Sequence, residues 1–537
     1  MLPQRGRALD PLRLARVCSP MSAARTTPGK RVDEHRRLLL LGVAGASLTQ
    51  LSGCGGGGGS PMMGQVDTTA PVDPAAGVAP ERSLPIVQLD PGESDGSGGR
   101  QFALTVQRGT SQILSGVNTP TLGYNGALLG PALRLRSGER TTIRVRNDLD
   151  EITTAHWHGL VVPPEVDGGP HQPIAPGATW EASFTVANPA STCWFHPHAH
   201  GSTGRQVVSG LAGLLIIDDG SVAPAELPDT WGVDDLALVL QDKRFTADGG
   251  IDYTLTANDR LVGYAGDRLL VNGIFGPTWR APRQWVRLRL LNGCNARILV
   301  LRLSDATPML QIANEAGMLA APIARSTLTL APGERAEVLV DFGSADVGHV
   351  TRLLARTSGG GMGMGMGTGM GMGSDTEVSA VTMRVDLPRQ PGAMSSPPTR
   401  LSPAPAVSVG TGSTVRTFTL GGGMMGSPFT INGRRFDIDR IDLAVPAGAV
   451  EIWRFVNATG MAHPMHVHGV QMSLIARDGS VPAPHEQGLR DTFVVDAMQT
   501  VSVAVQTPLV ASSVPLMFHC HILEHEDAGM MGQFVTA

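Results

Sequence analysis

The sequence predicts an all-β chain of three consecutive sandwich domains, and two observations carry that prediction. Gly and Pro number 67 and 39 among 537 residues, whereas charged side chains make up only 17%. Such a composition favours many short strands joined by turns over long helices. The second observation is an internal repeat. Tyr124-Asn125-Gly126, Val271-Asn272-Gly273 and Ile431-Asn432-Gly433 each precede an alternating strand that ends on Asn: Thr142–Asn147, Trp285–Asn292 and Val450–Asn457. Apolar and charged residues alternate along them, the signature of a half-buried strand. Ala175-Pro176-Gly177 and Ala331-Pro332-Gly333 recur at matching places in the first two copies. At roughly 100–200 residues per domain, the length allows about three domains, each with its own core.

Residues 1–53 read as an export signal. Their longest apolar run, Leu38 to Leu51, follows Arg36-Arg37 and is too short to cross a hydrocarbon core of ~30 Å, so it suits a twin-arginine signal peptide. The run ends in Leu51-Ser52-Gly53-Cys54, which resembles the lipobox of bacterial lipoproteins, and Cys54 is then the lipidated residue. The segment ahead of Arg36 is long for such a signal, which makes Met21 a candidate start. Residues 54–82, rich in Gly and then Pro, Ala and Thr, suit a flexible tether. Three sandwiches are expected at 83–222, 223–390 and 391–537. The second contains Gly359 to Gly373, where Met362, Met364, Met366, Met370 and Met372 are spaced by glycine. Glycine adds no packing, so these methionines form either a floppy hairpin loop or a soft-metal sponge, since thioether sulfur prefers monovalent copper. An exported monomer of the periplasm or cell envelope is expected, touching the membrane only through its lipid. The formal charge of −5, with no Lys/Arg block, excludes a nucleic-acid partner. Cys18, Cys54, Cys193, Cys294 and Cys520 show no paired spacing and form no disulfide framework.

The chemistry lies in the histidines. Of 15, eleven fall in four clusters: His156-Trp157-His158; His196-Pro197-His198-Ala199-His200; His463-Pro464-Met465-His466-Val467-His468; and His519-Cys520-His521 with His525. Each cluster holds a His-x-His pair, and residues i and i+2 of a strand face the same side. Two pairs come from the first repeat and two from the third, so eight imidazoles can converge between those domains. The middle repeat has Asn292 to Arg297 where the first has His156 and His158, and reads as a spacer that kept the fold but not the ligands. Imidazole-rich sites without clustered carboxylates favour copper or zinc. Cys520 decides for copper. Its sulfur points away from His519 and His521, toward a separate metal shared with His463, His525 and a weak axial Met530, the ligand set of a blue-copper electron-transfer site.

These residues resemble the multicopper oxidases. The run from His519 to Met530 is similar to the family's C-terminal copper motif, and His156-Trp157-His158-Gly159, Trp194-Phe195-His196-Pro197-His198 and His463-Pro464-Met465-His466-Val467-His468-Gly469 are similar to the other three. The likeness covers the chain after Leu84 and is nearest to the bacterial copper-efflux oxidases and their laccase relatives. It implies three cupredoxin-like Greek-key sandwiches and four coppers. Type 1 copper would take His463, Cys520, His525 and Met530, and type 2 would take His156 and His466. One type 3 copper would take His158, His196 and His521, and the other His198, His468 and His519. Glu526 and Asp167 hold positions that look like the family's proton-relay acids, and His200 is expected behind the ligands or exposed. His35, His171, His349 and His485 belong to no cluster and are expected in surface or turn positions.

Such an enzyme takes single electrons from a donor and reduces dioxygen to water. Cuprous ion, for copper tolerance and homeostasis, is the expected donor, with phenols or aromatic amines of a laccase as the alternative. Copper-efflux oxidases hold an extra cuprous ion with an acid and a Met before the type 1 His; here those places are Thr459 and Met461, so the acid is missing. The methionines at 362–372, Met424, Met425, Met461, Met465 and Met498 favour the ion. A non-catalytic copper-binding lipoprotein would not need the type 2 histidines. A ligand-free scaffold, as in relatives recruited to cell division, would have lost them.

Overall fold

The computed structural model describes residues 81–221, 227–357, 377–401, 406–423 and 426–537. The expected signal, Cys54, the methionines at 362, 364, 366, 370 and 372, and Met424 and Met425 lie outside the described residues. No helix among the described residues is long and apolar enough to cross a membrane.

Three β-sandwiches follow one another, each of two sheets. The first runs through β1 (Arg100–Ser111), β2 (Arg140–Asn147), β3 (His156–His158), β4 (Thr179–Thr185), β5 (Ser191–His196) and the short helix α1 (Thr203–Val208). The second contains β6 (Asp235–Lys243), the helix α2 (Ala257–Val262), β7 (Trp285–Asn292) and β8 (Arg335–Asp341). The third contains β9 (Val415–Gly421), β10 (Val450–Asn457), β11 (His463–Val467), β12 (Thr492–Val495), β13 (Thr500–Gln506), β14 (Ser512–Cys520), the helix α3 (Leu523–Asp527) and β15 (Met531–Thr536). The repeat seen in the sequence is a repeat of pairing. β2, β7 and β10 each pair in parallel with an earlier strand, respectively β1, β6 and β9. Each also pairs antiparallel with a later strand, respectively β4, β8 and β13.

The repeated asparagines explain themselves. Asn125, Asn272 and Asn432 have φ of 56°, 49° and 52°, a region Asn enters more readily than other side chains. Each turns its Oδ1 back to the preceding strand, accepting from Thr105, Val239 and Thr419 N–H at 2.7, 2.8 and 2.7 Å. Asn147, Asn292 and Asn457, at the ends of β2, β7 and β10, are buried and saturated. Their amides donate to backbone carbonyls, and their oxygens accept the N–H two residues on. An apolar substitute would strand buried backbone carbonyls at each place.

Each sandwich encloses an apolar core, around Phe102, Val145 and Leu215 in the first, Leu238, Leu288 and Val338 in the second, and Trp453, Phe455 and Phe518 in the third. A further cluster, with Leu129, Trp194, Leu214 and Ile216 on one side and Ala237, Val239 and Leu291 on the other, joins the first two sandwiches. The third is tied to the first by α3. Asp527 accepts from Thr203 N–H and Gly204 N–H at 2.9 Å each, which satisfies two of the free donors at the start of α1.

Candidate metal centre

β3 and β5 bring the first two histidine clusters together, and β11 and β14 bring the last two. The registers match: His156 lies opposite His196, and His466 lies opposite His519. His156, His158, His196, His198, His466, His468, His519 and His521 are all buried and meet between the first and third sandwiches. His156 stacks on His468 with ring centroids 3.7 Å apart, and His158 stacks on His466 at 3.6 Å. The two stacks follow an approximate two-fold relation.

Hydrogen bonds fix which nitrogen each ring turns inward. A carbonyl or carboxylate accepts a proton from one imidazole nitrogen and leaves the lone pair on the other. Asp167 does this twice, accepting from His156 Nδ1 through its carbonyl (3.1 Å) and from His468 Nδ1 through Oδ2 (2.8 Å). Asp491 mirrors it, accepting from His466 Nδ1 through its carbonyl (2.7 Å) and from His158 Nε2 through Oδ1 (3.1 Å). His196 and His519 each place Nδ1 on the carbonyl of the next residue, Pro197 at 2.8 Å and Cys520 at 3.1 Å.

The inward nitrogens then face one another. His156 Nε2 lies 3.4 Å from His466 Nε2, and His158 Nδ1 lies 3.4 Å from His196 Nε2. His519 Nε2 lies 3.2 Å from His198 Nε2 and 3.1 Å from His468 Nε2. With the outer nitrogens of His156, His158, His196, His466, His468 and His519 committed as donors, lone pair points at lone pair between His156 and His466, His158 and His196, and His468 and His519, an arrangement that a shared cation relieves. His198 Nδ1 has no hydrogen-bond partner. Burial holds His158, His196, His466 and His468 well below the usual imidazole range, with neighbouring imidazoles adding to it, and pushes His198 and His521 down to about 3. Neutral imidazoles with converging lone pairs fit a metal cluster. His521 joins them from the side, 5.0 and 5.4 Å by ring centroid from His158 and His196, with neither ring nitrogen bonded to protein.

On the opposite face of β14, Cys520 Sγ lies 3.4 Å from His463 Nδ1 and 3.7 Å from His525 Nδ1. These three groups are buried. Burial raises the Cys520 thiol above the ordinary range and lowers His525 to about 4, so without a metal the site is neutral. Met530 is fully buried in the same apolar cluster, and its carbonyl accepts from Cys520 N–H at 3.1 Å. The outer nitrogens are again committed. Thr459 Oγ1 meets His463 Nε2 at 2.8 Å, and the carbonyl of Leu261 in α2 accepts from His525 Nε2 at 2.9 Å. Phe429 covers both rings, with centroids 5.0 Å from His463 and 4.2 Å from His525. Soft sulfur beside two imidazoles suits copper.

Three buried carboxylates touch the eight-imidazole cluster: Asp491, Glu526 and Asp167. Glu526 stands 3.4 Å from His198 Nδ1 and 3.2 Å from His519 Nδ1, and both its oxygens lack a hydrogen-bond partner. Burial alone would raise its pKa, but His198, His519 and His521 outweigh burial and hold it well below the usual carboxylate range. Asp167 keeps Oδ1 unpartnered while Oδ2 holds His468. His200 is exposed and packs edge-on to Phe436. His171 reaches Gln533, His349 reaches Asp305, and half-buried His485 lies apart from the cluster. Cys193 and Cys294 are free and buried.

Sequence reasoning missed Asp491, Arg335 and the Leu261 carbonyl. Asp491 had a weak signal, an acid immediately before the Thr492–Val495 run that becomes β12. The other two had none, because they come from the middle sandwich and reach the centre only through the fold. That sandwich brings no group to any cluster of candidate metal ligands among the described residues. It is nevertheless no mere spacer. Arg335 binds Asp491 through both carboxylate oxygens, at 2.7 and 2.6 Å.

Two sequence profiles described as multicopper oxidase match residues 105–221 and 411–537. The chain is 36% identical over 445 residues to the multicopper oxidase mco of Staphylococcus haemolyticus (strain JCSC1435), covering 82% of this chain and 89% of that one. It is 33% identical over 441 residues to the cell division protein FtsP of Xenorhabdus nematophila, covering 82% and 90%. Among solved structures it is similar to a laccase-like multi-copper oxidase, CueO, from the lignin-degrading bacterium Ochrobactrum sp., described as active towards lignin model compounds and lignosulfonate. The TM-score is 0.75 and the identity 38%, covering 84% of this chain and all of that one.

Proposed function

The chain belongs to the multicopper oxidase family, and on that footing we propose that it oxidises cuprous ion with dioxygen, using copper at two centres. The first is the Cys520 site, assigned as type 1, with His463, His525 and axial Met530. The second is the eight-imidazole cluster, with His156 and His466 for type 2 and His158, His196, His521 and His198, His468, His519 for the two type 3 ions. Copper bound there supplies one-electron transfer from Cys520 to the cluster and four-electron reduction of dioxygen to water. One backbone step joins the two centres, because Cys520 lies between His519 and His521, and His519 Nδ1 also bonds the Cys520 carbonyl.

The chain's own groups handle protons and access. Glu526, whose oxygens lack a hydrogen-bond partner and face His198 and His519, accepts protons from water and hands them on to the cluster. Asp167 Oδ1 likewise has no hydrogen-bond partner, beside His468. The observation that favours a cuprous donor is the cover over His463. The imidazole is buried, its outer nitrogen is taken by Thr459, Phe429 packs on its ring, and half-buried Met461 is part of the surround. An aromatic donor finds no exposed ring edge there, whereas a bare ion passed between thioethers needs none.

The Ochrobactrum relative's activity on lignin compounds, and a hydroxyl at 459 where an acid would hold an ion, favour phenols as the second reading. Oxygen uptake with cuprous ion and with a small phenol, each with and without added cupric ion, separates the two. Preference for cuprous ion supports the first reading, and preference for the phenol overturns it. Residues 359–373 are proposed to feed the ion toward His463, so their deletion should lower efficiency with cuprous ion severalfold and spare the phenol. Equal loss for both donors would assign that segment to the fold. For address, export through the twin-arginine signal and lipidation at Cys54 are proposed on the sequence alone. Radiolabelled palmitate incorporation that survives Cys54→Ala would contradict the anchor.

A further inference from the structure

We propose that the middle sandwich, which among the described residues supplies no ligand to either centre, positions one flank of the eight-imidazole cluster, with Arg335 and Gly333 as its positioning residues. The inference rests on the copper reading above and goes beyond it by giving the ligand-free domain a part in the centre.

Arg335 is buried and has every donor engaged. Nε gives its proton to the Thr192 carbonyl of the first sandwich at 2.9 Å. Nη1 bonds the Gly333 carbonyl at 2.9 Å and Asp491 Oδ1 at 2.7 Å, and Nη2 bonds the Glu315 carbonyl at 3.2 Å and Asp491 Oδ2 at 2.6 Å. One guanidinium thus ties all three sandwiches at the edge of the cluster. Its planar fork leaves the Asp491 carboxylate a single orientation, which a lysine ammonium cannot impose. Asp491 in turn determines that His158 offers Nδ1 inward, and its carbonyl sets His466.

Gly333 acts by contact. A Cβ there would lie 3.0 Å from the ring of His521, so only glycine leaves room for an imidazole that has no hydrogen bond to hold it. The comparison within the chain is telling. The matching turn of the first copy carries Gly177 at the same backbone angle, with nothing near the place of its Cβ. Positions equivalent to Arg335 by strand register are Thr179 and Thr500. In the middle copy this corner reaches the eight-imidazole cluster, through Gly333 and Arg335. On the other side Gly159, beside His158, clears the space: a Cβ there would lie 2.5 Å from Asp491 Oδ2 and 2.7 Å from Arg335 Nη2.

Arg335→Lys and Gly333→Ala, loaded with copper, should keep the thiolate absorption of Cys520 and the KM for donor. They should lose at least one cluster copper per chain, with an altered type 2 electron paramagnetic resonance signal and a fall in kcat of tenfold or more. Arg287→Lys, which disturbs a buried pair with Glu337 in the same sandwich but touches no centre residue, is the control and should keep all its copper. Native copper content and signal in both variants would overturn the inference. So would loss of the Cys520 copper together with a metal-free melting temperature well below that of the control, because Arg335 would then support only the fold. If Arg335→Lys does not accumulate folded, Gly333→Ala alone decides by the same readouts. A wild-type chain that never loads the cluster would overturn the copper reading, a separate result.

Discussion

His158 ends the His-x-His pair of β3 and His468 ends the pair that runs just past β11, yet they turn opposite nitrogens inward, Nδ1 and Nε2, because their carboxylate partners sit on opposite nitrogens. The spacing of such pairs was plain in the sequence; the choice of nitrogen was not, since it depends on acids over 300 residues away. Glu526→Gln removes a titratable group without changing size, so dioxygen reduction should slow by about 10²-fold. Reduction of the Cys520 copper by donor should stay normal, which stopped-flow absorbance would check. Met498 tells the opposite story of legibility. It occupies, with φ of 61° and 72% exposure, the turn place that glycine holds in the other two copies. Its N–H bonds the carbonyl of Thr459, the residue whose hydroxyl meets His463. Met498→Gly should raise stability by about 1 kcal/mol in a denaturant melt, since an L side chain is strained there. Retention of a strained methionine would be explained if the same variant also lost efficiency with cuprous ion but not with a phenol.

At the level of elements, alternation and repeated asparagines made β2, β7 and β10 legible before any coordinates, because a half-buried strand records its faces in its sequence. Contacts between sandwiches leave no such record. β5, β7 and β8 meet across a buried polar seam, where Glu337 binds Arg287 and Arg289, and Thr192 bridges Glu337 and Arg289. Burial would raise the Glu337 pKa, but the two arginines outweigh it and lower it to about 2 from 4.5. The folded pKa lies below the unfolded one. Its contribution, roughly 3 kcal/mol, is therefore fully present above pH 4.5 and disappears as pH falls toward 2. Glu337→Gln should cost about that much at pH 7 and flatten the acid limb in melts taken across that window. An unchanged acid limb would assign the low-pH loss to other carboxylates.

Across the whole molecule, the first and third sandwiches divide the ligands and the second holds them. Leu261 orients His525 and Arg335 orients Asp491, both from a domain whose own sequence advertises no chemistry. Divergence within the repeat explains this: the same corner that is solvent-facing in one copy carries a buried arginine in another. The central claim is that Cys520 makes one copper site and the histidines around it make another. Copper analysis with absorption and electron paramagnetic resonance spectra of the wild type and Cys520→Ser tests it most directly. The wild type should bind about four coppers per chain and be blue from thiolate charge transfer. Cys520→Ser should bind about one fewer, lose the blue colour and turnover, and keep the type 2 signal of the cluster. A blue, active Cys520→Ser, or one that binds no copper while still folded, would contradict the account.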